Sequence, residues 1–119
     1  MKFFYNDKLV RTSRNHVYTH AVLDDQGRCA GCRTSREAAE GIIRSALHQA
    51  QESIENSKRH MKAIEAGQKR YKYVEGRRTY YLPVEPGDTV ERCQSWIEAK
   101  LERIDYIKSN WRVVELEAR

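Results

Sequence analysis

No apolar run in this 119-residue chain approaches the roughly 18 residues of a membrane-spanning helix. The opening residues, Met1 to Asp7, carry a cation but no apolar core, so they do not read as a secretory signal. Cysteines number three, and an odd count argues against a disulfide framework of the secreted kind. The thiols read as free, and a cytoplasmic protein is the expectation. The six glycines are scattered singly. No Walker loop, dinucleotide-binding glycine fingerprint, nucleophile elbow or H-E-x-x-H sequence occurs. The commonest hydrolytic and nucleotide-dependent chemistries therefore have no signature here, and the chain reads as a non-enzymatic binding protein. Repeats, low-complexity tracts and linkers are also missing, so residues 1–119 read as a single domain of ordinary size.

Charge is what the chain has in quantity. Charged residues make up 33% against 39% hydrophobic, and the net charge is +5. The excess is uneven. Residues 1–34 hold six cations and three acids, and residues 68–85 hold five and two. Residues 35–67 balance at five each, and residues 86–119 hold six and seven. A focused positive patch steers polyanions better than a scattered excess does.

The first third (1–33) is β-rich. Phe3 to Tyr5, Leu9-Val10, Val17 to Leu23 and Arg28 to Arg33 give three or four antiparallel strands, with Asp24-Asp25-Gln26-Gly27 as a hairpin turn. Thr34 to Glu37 reads as a capping box opening a long helix over 34–66. Its apolar stripe is Ala39, Ile43, Ala46, Ala50, Ile54, Met61 and Ile64, with Ser57 in the one remaining stripe position. Gly67 is the natural stop. Such a helix is roughly 48 Å long, more than the about 35–40 Å of a compact domain this size. It must kink, project or pack on a second copy, and a homodimer through it is one expectation. A hairpin follows over 69–84. Asp88 caps a second helix over 88–110 with the stripe Val90, Cys93, Ile97, Leu101, Ile104 and Ile107, and residues 112–117 form a last strand. Bunched strands rather than singly alternating ones make the class α+β, a mainly antiparallel sheet packed with two amphipathic helices, the first unusually long.

Residues 69–81 concentrate five cations and four tyrosines around a Glu-Gly turn. A tyrosine ring offers any base a stacking face, and Lys or Arg adds phosphate contacts that carry no sequence information. Tyr and Arg are also common anchors at protein interfaces. The expected contact set is Lys69, Arg70, Lys72, Tyr73, Arg77, Arg78 and Tyr81.

Cys29-Ala30-Gly31-Cys32 is a C-x-x-C. A zinc site would need further ligands, with His16, His20 and Cys93 as candidates. His16 and His20 are four apart in what reads as a strand, about 13 Å at strand rise, so they do not share an ion. His20 alone would sit across the hairpin from Cys29. The plain reading is two small residues packed under a strand, with no cofactor. His48 and His60 read as solvated positions on the polar side of the first helix.

Three segments taken together, Lys8 to Ser13, Tyr18 to Val22 and Thr34 to Ala39, resemble small orphan proteins encoded by phages and other mobile elements of bacteria. The resemblance covers about the first 40 residues and carries no functional residue. It implies a protein that acts by binding, as anti-CRISPR proteins that block host nucleases do. The leading expectation is therefore a phage-type inhibitor acting on a bacterial nuclease or nucleoprotein complex through the basic, Tyr-rich hairpin. A direct nucleic-acid-binding accessory protein and a small zinc-stabilised domain are the alternatives.

Overall fold

The computed structural model describes residues 1–119. The order of elements is β1 (Lys2–Tyr5), β2 (Lys8–Thr12), β3 (His20–Leu23), β4 (Cys29–Arg33), α1 (Arg36–Glu65), β5 (Arg70–Glu75), β6 (Arg78–Pro83), α2 (Val90–Asn110), β7 (Arg112–Glu115) and β8 (Glu117–Ala118). This is an α+β chain with antiparallel sheets and a long first helix, and no helix is long and apolar enough to cross a membrane. Its residues fall into two compact units, Met1–Leu47 with Tyr106–Arg119, and His48–Asp105. The division lies within both helices, so α1 contributes one stretch of residues to each unit.

The first unit holds two three-stranded sheets, ordered β2-β1-β8 and β4-β3-β7. The β1–β2 turn is Asn6-Asp7, both at positive φ (48° and 62°) as a type I′ hairpin requires. Strand β3 is central, and Ala21, Val22 and Leu23 are all buried, the pattern of a strand covered on both faces. Ala21, Leu23, Cys32 and Val114 form the core, with Tyr5, Val10, Tyr18 and Leu116 packed against it. The β3–β4 turn closes on Asp24, whose Oδ1 accepts the N–H groups of Gln26 and Arg28 while Oδ2 accepts Arg28 Nε at 2.7 Å. Burial favours the neutral form of Asp24. The bonds from Arg28 and Gln26 outweigh it and hold the carboxyl below the ordinary 3.8. The terminal strand is two strands, not one. It breaks at Leu116, whose N–H goes to the Thr19 carbonyl, so β7 pairs with β3 and β8 with β1.

Both helix starts lie one residue later than the sequence suggests. Ser35, not Thr34, caps α1, its Oγ accepting the Ala38 N–H at 3.1 Å. Thr89, not Asp88, caps α2, accepting the Arg92 N–H at 3.2 Å. Gly67 ends α1 as expected, at φ 66°. Gly67 N–H bonds the Ile64 carbonyl and Gln68 N–H the Ala63 carbonyl, which is a Schellman motif. The α1 stripe is buried or half-buried throughout, whereas Leu101 on the α2 stripe is 48% exposed.

Candidate functional site

In the second unit, β5 and β6 pair antiparallel around Gly76-Arg77. Gly76 has φ 60° and is the only residue of this pair at positive φ, so the loop is a type II′ turn with glycine at its first central position. The register sorts the side chains into two faces. On one face Lys72 lies across from Tyr81, flanked by Arg70 opposite Pro83 and by Val74 opposite Thr79. On the other face are Tyr71 opposite Leu82, Tyr73 opposite Tyr80, and Glu75 opposite Arg78.

The seven expected contact residues therefore divide. Arg70, Lys72 and Tyr81 come together on the first face, which holds no acid. Arg77 sits in the turn and Lys69 just before β5. Arg78 and Tyr73 belong to the second face, and Tyr73 is half-buried there. Tyr81 is 65% exposed. None of the five cations stands in an ion pair.

The outer edge of β5 is closed by α1. Asn56 is buried and binds Val74 at both backbone groups, while Arg59 Nε donates to the Lys72 carbonyl at 3.0 Å. The outer edge of β6 has no strand beside it, and Pro83 at its end has no N–H to offer, which is one way an edge strand is kept from pairing.

The second face of the hairpin, α1 and α2 enclose a cleft of about 330 Å³ lined by Ser53, Asn56, Ser57, His60, Tyr71, Tyr73, Asp88, Arg92, Cys93 and Trp96. His60 is not solvated, contrary to its reading from sequence. Its ring lies flat on Tyr71, with centroids 4.1 Å apart, and its Nε2 meets Asp88 Oδ2 at 2.9 Å. Asp88 Oδ2 also accepts the Glu85 N–H at 2.8 Å, which accounts for its absence from the α2 cap. That backbone bond, then the contact with His60, lowers the Asp88 carboxyl against the opposing effect of burial. Burial and the Asp88 charge push the Tyr71 hydroxyl and the Cys93 thiol up. Trp96 Nε1 donates to Ser53 Oγ at 2.9 Å, and Lys100 Nζ stands 4.7 Å from the centre of its ring.

Sequence reasoning missed this cleft. Ser53, Asn56, Ser57 and His60 are spaced to share one helix face, and Ser57 in an apolar position was the visible sign of it.

His20 does not join Cys29 and Cys32. Leu23, not His20, lies opposite Cys29, and His20 lies opposite Arg33. Ala21, next to His20, pairs with Cys32, so His20 points to the other face of the strand. No group of three or more His, Cys, Asp or Glu side chains is placed to hold a metal ion.

Comparison with known proteins finds no family model, no curated protein and no solved structure that matches this chain.

Proposed function

We propose that this protein is a binding protein that grips single-stranded nucleic acid with the Arg70–Lys72–Tyr81 face of its hairpin, helped by Lys69 and Arg77. The observation that carries the reading is the Lys72–Tyr81 pair. An exposed ring offers a stacking surface, and the cations beside it have no carboxylate to neutralise them. Stacking tolerates any base, and phosphate contacts carry no sequence, so the face suits a strand of varied sequence. Binding is favoured over catalysis because several polar groups of the neighbouring cleft already have partners, His60 with Asp88 and Tyr71, Asn56 with the Val74 backbone, Ser53 with Trp96.

Fluorescence anisotropy with short single-stranded and double-stranded DNA and RNA across a salt series tests this. The logarithm of the affinity is expected to fall linearly with log salt. Arg70→Ala with Lys72→Ala reduces the slope by about 1.4 on a single strand. Tyr81→Ala costs about 1–3 kcal/mol and leaves the slope unchanged. No binding at low salt overturns the reading.

The segments between Lys8 and Ala39 that resemble phage proteins favour a second reading, an inhibitor of a bacterial nuclease of the anti-CRISPR kind acting through the same hairpin. It expects a stable complex with a nuclease or nucleoprotein and weak binding to free nucleic acid, and size-exclusion chromatography with the two components separates it from the first.

A further inference from the structure

Cys29 and Cys32 stand three residues apart on β4, and a regular strand would turn them to opposite faces. A bulge removes that separation. Val22 pairs with Gly31 and Leu23 with Cys29, which leaves Ala30 without a partner across the pair. Cys29 thus falls in register with Leu23 and Cys32 with Ala21, positions of β3 that share a face. The two sulfurs come within 3.7 Å. Cys29 is exposed, whereas Cys32 is 1% exposed. Cys29 is the residue of the pair that a reagent in solution can reach, and the Cys32 sulfur lies within closing distance of it and is shielded. Joining them to an S–S bond of about 2.0 Å takes a side-chain rotation.

We propose that Cys29 and Cys32 form a reversible thiol–disulfide site that takes a low-molecular-weight disulfide as its oxidant. The Cys29 thiolate attacks one sulfur of the reagent. The reagent's S–S bond breaks, a mixed disulfide forms on Cys29, and the other half leaves and takes up a proton. Cys32 then gives up its proton and attacks Cys29 Sγ, and the second half of the reagent leaves as a thiol. Two protein thiols are oxidised by two electrons in all, and one reagent disulfide is reduced to two thiols.

The surroundings fit this order of events. Burial pushes the Cys32 thiol up to about 11, the charge of the neighbouring Cys29 sulfur adds to the shift, and Arg11 and Arg33 oppose it. Cys32 therefore stays protonated while Cys29 reacts first.

The test uses the full chain, glutathione disulfide and glutathione in graded ratios near pH 8, acid quenching, alkylation and mass spectrometry. Trypsin releases residues 29–33 as one peptide that holds both cysteines. The expected result is loss of both thiols together in that peptide, which becomes lighter by two hydrogens, while Cys93, buried and in the other unit, stays free. Cys32→Ser stops at the mixed disulfide with glutathione on Cys29. Cys29→Ser, a change at an exposed position, leaves Cys32 unmodified in the folded chain. Both thiols remaining free at the oxidising end of the series overturns the proposal. So does glutathione still carried on Cys29 of the unsubstituted chain at equilibrium.

Discussion

Asn56 holds Val74 by both of its backbone groups, Nδ2 donating to the carbonyl and Oδ1 accepting from the N–H, each at 2.8 Å. A side-chain amide here does what a neighbouring strand would do, and it closes one edge of a two-stranded sheet. Asn56→Ala leaves the N–H and carbonyl of half-buried Val74 without partners, and the expected loss is about 2 kcal/mol, read from urea denaturation. A variant as stable as the parent would mean that the edge needs no such closure.

The helix caps give a second expectation. Ser35→Ala and Thr89→Ala should each cost about 1 kcal/mol, while Thr34→Ala should stay within about 0.5 kcal/mol. Thermal melts of the three variants check it. A larger loss at Thr34 than at Ser35 would return the cap to Thr34.

Acid should weaken the contribution of Asp88. Its folded value lies below the ordinary 3.8, so its bonds add stability that is complete above that value and is lost as pH falls through the folded one. The melting-temperature difference between the parent and Asp88→Asn should be level at about pH 5 and above and shrink below about pH 4. A difference unchanged down to about pH 2 would count against the Glu85 and His60 bonds.

At the tip of the hairpin Gly76 sits at φ 60°, with open space where a Cβ would go. Gly76→Ala therefore meets backbone strain without a steric clash, and it should cost about 1–3 kcal/mol. Gly76→Asn should cost less, because the positive-φ positions of I′ and II′ turns accept asparagine better than alanine. Chemical denaturation of the two variants side by side gives the ordering.

Much of the fold is readable from local chemistry. Gly67 stops α1 and Gly27, at φ 78°, supports the β3–β4 turn, because a positive φ leaves few other residues to choose from. The hairpin faces follow from strand alternation and from the two-residue turn that sets the register. What the sequence hides is decided by competition between neighbours. Thr34 and Ser35 are adjacent and chemically alike, so pattern alone cannot choose the cap. Asp88 is a good capping residue whose oxygen is occupied by Glu85 and His60, partners brought in by the turn and by tertiary contact. His60 reads as solvated because its partners lie 11 and 28 residues away in sequence, at Tyr71 and Asp88. The bulge at Ala30 carries no sequence mark either, yet it alone brings the two thiols of β4 to one side.

The break at Leu116 has a consequence for the order in which the chain takes shape during synthesis. Strands β1 and β3 are made early, but their neighbours β8 and β7 come last. Lys2 and Arg119 exchange both backbone hydrogen bonds, so the first sheet closes only when its last residues arrive. At about 5–20 residues per second, two strands wait several seconds for their partners. Residues 48–105 are contiguous and complete before β7 and β8 are made. The middle of the chain is therefore the first unit whose residues have all been made, while the open edges of β1 and β3 carry the exposure to misassembly.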